Sequence, residues 1–272
     1  MYKEKNDKRF NDRKRDFDAR KKSFEAEEKE NDKDIIFGRN SVTDAIKAGR
    51  PIDSVMVARG ERSGSIPKIL ADAKDAGLPI KEVDRKKLDF MCGHGNHKGI
   101  IAVGAVKAYS TVEDIFNTAE ERGEPPFIIV CDEIEDPHNL GAIIRTADAC
   151  GAHGIIIPKR RGVALTYAVG KVSAGAVEYV PVARVSNLPN TIEELKEKGF
   201  WVYGADMDGK RWDEQDYSGK VALVVGSEGK GVSRLVREKC DFVVSLPMKG
   251  KINSLNASVA AGILMYEIAK NR

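Results

Sequence analysis

Phe127-Ile-Ile-Val-Cys-Asp132, followed by Asn139-Leu-Gly-Ala-Ile-Ile-Arg145 and closing at Gly151, decides the architecture. The first run is apolar without alternation, as strands are when helices cover both faces of a parallel sheet. In the second, Leu140, Ile143, Ile144, Ala147 and Cys150 fall on one helical stripe. Asn139 is placed to cap that helix and Gly151 to stop it. The pattern repeats downstream. Strand Gly154–Pro158, helix Thr166–Ala176, strand Tyr179–Val182, helix Thr191–Lys198 and strand Phe200–Ala205 follow. Strand Val221–Val225, helix Val232–Lys239, strand Phe242–Ser245 and a long helix from Ser254 complete it. This is an α/β, doubly wound pattern. The last helix is apolar nearly all round from Val259 to Ile268, which predicts burial on every side.

Upstream lies a smaller α/β unit. Helix Ser41–Ala48 is capped by Asn40 or Ser41 and stopped by Gly49; strand Ser54–Ala58, helix Pro67–Ala76 and strand Ile80–Val83 follow. A short helix near Arg85–Met91 and strand Gly99–Val106 close it. The chain thus divides into a charged tail over 1–33, a small domain over 34–108, a linker with one helix over 109–124 and a large domain over 125–272. The tail carries only Phe10, Phe17 and Phe24 among its charges, too little apolar area to offset ordering entropy. It is either an RNA-contacting arm or a solubilising extension.

No apolar stretch follows Met1 as a secretory signal would, and no run reaches the roughly 18 apolar residues of a membrane helix. Cys92, Cys131, Cys150 and Cys240 are widely spaced with no C-x-x-C pair, against a disulfide framework or zinc site. A cytoplasmic protein is expected. The net charge of +3 over 272 residues decides little. Clustering says more: Lys159-Arg160-Arg161, Lys249 with Lys251, and Arg85-Lys86-Lys87 are each either a solvated loop or a phosphate contact.

Three strand-to-helix corners carry side chains that packing alone would not select: Arg145, Glu228 and Asn256. Arg145 lies off its apolar stripe, and Gly141 one turn earlier leaves room for its arm to lean toward the helix start; an Asp148 pair is the plain alternative. Gly226-Ser-Glu228-Gly-Lys-Gly231 follows a strand, so its glycines permit close backbone approach to a ligand. It is not a Walker A loop, lacking Gly-Lys-Ser/Thr, and its spacing is not G-x-G-x-x-G. Ser254 can cap the last helix, while Asn256 and Ser258 in its first turn need further partners. Cys92-Gly-His94-Gly-Asn-His97 has metal-like composition but only three candidate ligands, so no metal site is assigned.

Taken together, Asn139 to about Gly262 resembles the three motifs of the SpoU-type 2′-O-ribose methyltransferases of the SPOUT superfamily. Gly38-Arg-Asn-Ser-Val and His97-Lys-Gly-Ile-Ile-Ala-Val resemble that family's RNA-recognition domain, related to ribosomal protein L30. The arrangement is similar to the branch that methylates a guanosine ribose in 23S ribosomal RNA. The resemblance implies a SPOUT-type α/β domain with a C-terminal trefoil knot, an exception to un-knotted topology. It implies S-adenosylmethionine as co-substrate near Gly226, Leu246 and Leu255, and a homodimer sharing its RNA site. Asn139, Arg145, Glu228, Ser254 and Asn256 match the family's functional positions. The same chemistry on transfer RNA, or RNA binding without chemistry, are the competing readings. A nucleotide hydrolase at the Gly226 loop lacks the Lys-Ser/Thr pair and a magnesium site that it needs.

Overall fold

Two sheets organise residues 35–270 and 272, those described by this computed structural model. The charged tail over 1–33 lies outside the described residues. The first sheet takes β1 (Ile35–Phe37), β2 (Ile52–Ala58), β3 (Ile80–Val83) and β4 (Ile100–Gly104) in the order β1-β4-β2-β3. β2 and β3 run parallel, and β4 is antiparallel to both β1 and β2. Helices α1 (Arg39–Lys47) and α2 (Ile66–Asp75) cover one face through Val42, Ile66, Ile69 and Ala73; α3 (Arg85–Met91) covers the other through Leu88. Two expectations change here. Ile35–Phe37 forms an edge strand, and the residue before α1 is Gly38 at φ 91, which leaves Asn40 and Ser41 inside the helix rather than capping it.

Thr111 opens α4 (Val112–Arg122) with a capping box: Asp114 N–H donates to its hydroxyl at 3.1 Å, and Thr111 N–H donates back to the Asp114 carboxylate at 2.7 Å. Ile115 on α4 packs on the second sheet, in the space above Gly154 where a Cβ would meet it at 2.5 Å.

The second sheet has six strands: β5 (Phe127–Cys131), β6 (Gly154–Pro158), β7 (Val182–Val185), β8 (Trp201–Arg211), β9 (Val221–Val225) and β10 (Phe242–Ser245). Every neighbouring pair is parallel, in the order β10-β8-β9-β5-β6-β7. Period-two side-chain alternation splits each central strand between two cores. Phe127, Ile129, Cys131, Val221, Leu223 and Val225 face α5 (Pro137–Ala149), α6 (Tyr167–Val172) and α9 (Ala257–Lys270). Ile128, Val130, Ala222 and Val224 face α7 (Leu188–Glu197) and α8 (Arg234–Arg237). Both faces are apolar because both are covered, which is why these strands read as unbroken apolar runs. Chain order reverses between β5 and β9, and ligands collect beyond the carboxyl ends of strands at such a switch.

Several boundaries move. β7 starts at Val182 instead of Tyr179, because Pro181 has no N–H for the ladder. β8 continues to Arg211, with its partner in β10 jumping from Gly204 to Lys210, so that Ala205–Gly209 bulges off the ladder. The predicted helix Thr166–Ala176 is α6 plus a 3₁₀ turn at Ala176–Glu178. α8 is only one turn long, and α9 starts at Ala257, not Ser254. Burial of α9 is one-sided: Val259, Ile263 and Tyr266 are 51%, 40% and 55% exposed and share one stripe.

The two sheets meet at a buried ion pair. Arg184 of β7 lies 2.9 Å from the Asp53 carboxylate of β2, with both side chains 8% exposed, and its guanidinium stacks over Tyr109 at 4.7 Å. The Tyr109 hydroxyl accepts from Leu165 N–H at 3.0 Å, and burial pushes its pKa up to about 12.

Candidate active site

The carboxyl ends of β5 and β9 hold the polar cluster. Asp136 caps α5, accepting from His138 N–H at 2.8 Å, and Pro137 occupies the first turn. Asn139 is therefore inside the helix, correcting the expectation that it is the cap. It is buried, and its amide is free to point across the sheet switch.

There it meets the other two motifs. Asn139 Nδ2 donates to Glu228 Oε1 at 3.1 Å. Asn256 Nδ2 donates to the same Glu228 oxygen and to Asn139 Oδ1, the latter at 2.9 Å. Asn256 also caps α9: its Oδ1 accepts from Ser258 N–H at 2.9 Å, Ser258 Oγ at 2.6 Å and Val259 N–H at 3.3 Å. The cap is Asn256, not Ser254, and one side chain serves helix and site together. Both amides address one carboxylate oxygen. Glu228 Oε2 has no partner among the described residues.

Gly226 fixes the loop that carries Glu228. A Cβ there would lie 2.0 Å from the Gly231 carbonyl carbon and 2.2 Å from Val232 N, backbone atoms that cannot move aside. The turn is tied by Ser227 N–H to Gly231 O at 3.1 Å and Gly231 N–H to Ser227 O at 3.0 Å, with Gly229 and Gly231 at φ 81 and 66. Asp132, buried at the end of β5, accepts from Ser233 N–H at 2.7 Å and anchors the far side. Its neighbour Cys131 is wholly buried, which pushes the thiol up to about 12 and leaves it neutral.

Against this loop opens a cavity of about 330 Å³. Gly226, Leu246 and Leu255 line it, as do Glu228 and Ser254. Val225, Val244 and Leu264 give it an apolar floor. Size and lining fit one small organic ligand. Asp206 and Met207, from the β8 bulge, form part of the wall; nothing in Asp-Met-Asp marks them in sequence, because the bulge is a feature of pairing with β10.

Arg145 is placed differently from expectation. It is exposed on α5, six residues beyond Asn139, and bonds neither Asp148 nor Glu228 among the described residues. Gly141 does not make room for it. A Cβ on Gly141 would lie 2.7 Å from Val172 Cβ and 3.0 Å from Val169 O, so that glycine permits α5 to pack on α6. In the Cys92–His97 loop, His97 is buried, bonding the Asp89 carboxylate at 2.9 Å and accepting from Gly99 N–H at 3.0 Å. Its ring holds the turn into β4. No group of three or more possible metal ligands occurs among the described residues, nor any helix long and apolar enough to cross a membrane.

A cavity at the switch point of a parallel sheet is a small-ligand site, and comparison with known proteins gives its class. The SpoU rRNA Methylase family model matches residues 126–266. A model for RNA 2′-O ribose methyltransferase substrate binding matches 35–112. A Bacillus subtilis protein assigned to the TrmH family of tRNA/rRNA methyltransferases, YacO, is 50% identical over 240 residues, or 88% of this chain and 96% of its own. A Staphylococcus aureus relative with the same family assignment is 46% identical over 241 residues, again 88% and 96%. Among solved structures, the AdoMet-bound rRNA methyltransferase from Sinorhizobium meliloti superposes at a TM-score of 0.55 and 26% identity, covering 89% of this chain and 88% of that one. The AviRb methyltransferase of Streptomyces viridochromogenes shares the fold at 0.54 and 24%, covering 88% and 90%. The chain belongs to the SpoU family and is an RNA methyltransferase.

Proposed function

We propose that the chain transfers a methyl group from S-adenosylmethionine to a ribose 2′-hydroxyl of RNA, with a guanosine of 23S ribosomal RNA as target. The observation that carries this is the meeting of Asn139, Glu228 and Asn256 beside the cavity lined by Gly226, Leu246 and Leu255. The cofactor fits on structural grounds: the cavity has an apolar floor of Val225, Val244 and Leu264 for a flat base, and Asp206, Glu228 and Ser254 in its walls for polar ends. When bound, the co-substrate supplies an electrophilic methyl on a sulfonium.

A hydroxyl is a weak nucleophile near neutral pH and loses its proton as the bond forms. Glu228, held through one oxygen by two amides, keeps the other available to orient the hydroxyl or take that proton. The Arg145 guanidinium stabilises the developing alkoxide or an adjacent phosphate. Asn139 and Asn256 hold the Glu228 loop, and Ser254 contacts substrate from the cavity rim. The chain works as two domains, 34–108 for RNA and 125–272 for catalysis, joined by 109–124. The catalytic domain carries the trefoil knot. The exposed Val259–Ile263–Tyr266 stripe supports a homodimer with the RNA site shared between subunits.

Methyl transfer to 23S ribosomal RNA and to transfer RNA, followed by mapping of alkali-resistant linkages, tests the proposal. One alkali-resistant guanosine in 23S RNA is expected. Transfer only to transfer RNA would replace the target, and base methylation would overturn the chemistry.

A further inference from the structure

Lys159-Arg160-Arg161, left open by sequence alone, forms one wall of a second cavity of about 290 Å³ between the two sheets. Lys81 of β3 stands on the other wall, and Arg184 and Asp53 lie within. Five cations thus face one carboxylate. The Asp53 charge is already matched by Arg184 at 2.9 Å, and only Arg161 finds another acid, Glu133 at 3.5 Å. Lys81, Lys159 and Arg160 have no acidic partner among the described residues. Arg184, its side chain 8% exposed, keeps Nε without an acceptor, the one such buried side-chain atom among the described residues.

Like charges gathered in a cleft repel, and a buried donor without an acceptor is unfavourable. An anion in the cleft relieves the first of these. The cations are spread over two walls from two sheets instead of converging on one point, which suits a chain of phosphates better than a single one. The basic loop also belongs to the catalytic edge. It follows β6 at the sheet's carboxyl side, and Val163 N–H donates to Ile134 O at 2.7 Å in the loop leading to α5 and Asn139.

We infer that this cleft seats the phosphodiester backbone of the RNA substrate between the two sheets, with Lys159 and Arg160 on one side and Lys81 on the other. The inference rests on the methyl-transfer reading for the identity of the RNA, and the cleft spans both sheets, so it would hold their relative orientation as well as the strand.

The test is binding of a 23S RNA fragment to the full chain across about 0.1–1 M KCl, for the native sequence, Lys159→Ala/Arg160→Ala and Lys81→Ala. Two lost single-strand contacts lower the slope of log K against log salt by about 1.4, an affinity loss of roughly 25-fold at 0.1 M that vanishes near 1 M. KM for RNA rises while kcat at saturating RNA, S-adenosylmethionine affinity and Tm hold; Lys159→Arg retains the slope. An unchanged affinity and slope in a double variant that still methylates RNA overturns the inference alone. So does a response of the cleft variants to inorganic phosphate but not RNA, which assigns a free anion. A native chain that methylates no RNA, yet loses RNA affinity with the cleft cations, keeps the cleft and removes the functional reading. A native chain that binds no RNA removes both.

Discussion

Asn256→Asp separates two duties that one amide performs. Its oxygen caps α9 and its nitrogen holds Glu228 and Asn139. Asp keeps the capping oxygen, so the roughly 1 kcal/mol of the cap is retained. The two donated bonds are lost, at about 1 kcal/mol each. Asp also sets a carboxylate against Glu228; both residues are exposed, so at hydrogen-bond separation in near-water dielectric they repel by about 1 kcal/mol. The sum is about 2–3 kcal/mol, close to that for Asn256→Ala, which loses the cap and the donors but gains no repulsion. The two differ in salt. Raising KCl restores part of the Asn256→Asp loss by screening and leaves Asn256→Ala unchanged. A second change, Glu228→Gln, gives Asn256→Asp an amide to accept from and recovers about 1–2 kcal/mol. Methyl transfer stays at least tenfold down, because Glu228→Gln removes the free carboxylate oxygen. Urea unfolding at neutral pH and two salt concentrations, beside a methyl-transfer assay, reads all of this. An Asn256→Asp chain as stable as the native one, or a double variant weaker than both singles, refutes the shared-oxygen geometry.

Other substitutions probe separate parts. Gly226→Ala abolishes S-adenosylmethionine binding by calorimetry, since the methyl group lands on the Gly231–Val232 backbone; undiminished affinity would show that the turn tolerates opening. Gly141→Ala adds about 1 kcal/mol of helix propensity but overpacks against Val172 and the Val169 carbonyl at about 1–3 kcal/mol, so urea unfolding shows a net loss and not a gain. Arg145→Lys leaves stability within about 0.5 kcal/mol, because the side chain is exposed, and retains measurable methyl transfer if charge alone is its contribution; near-background turnover counts against that. His153 is buried, and desolvation, with Arg122 nearby, holds its pKa below the usual value of 6.5. Its Nδ1 accepts from Phe127 N–H at 2.9 Å, a bond that protonation removes. The unfolded chain takes up this proton first, so Tm falls as pH drops below about 6.5, and His153→Gln flattens that fall; an equally steep profile in the variant assigns it to other groups.

What the sequence reveals follows burial. β6 and β9 lie where the apolar runs place them, because both faces of each are covered and nothing interrupts the pattern; β10 does too, although only its Val244 is buried. β7 is misplaced by three residues, since Arg184 interrupts its run and the Asp53 that justifies a buried arginine lies in the other sheet. The start of α5 is not legible, because Asn139 is a good cap by type while Asp136 before Pro137 is better placed. Membership of the polar site is only partly legible: Asn139, Glu228 and Asn256 converge, while Arg145, which the sequence groups with them, makes no bond to the cluster. The geometry of the site is not legible, because which amide caps and which bonds a carboxylate depends on partners 89 and 117 residues away. The uniformly apolar α9 has no polar face, so its periodicity carries no signal of which stripe stays open.

Because α9 supplies Ala261, Leu264, Met265 and Ile268 to the core while Asn256 at its start completes the polar cluster, one helix finishes both at once. A product truncated before Asn256 is short of core and short of site together. Such a chain can neither linger as a stable decoy nor modify RNA, so stability and activity fail together when this helix is lost.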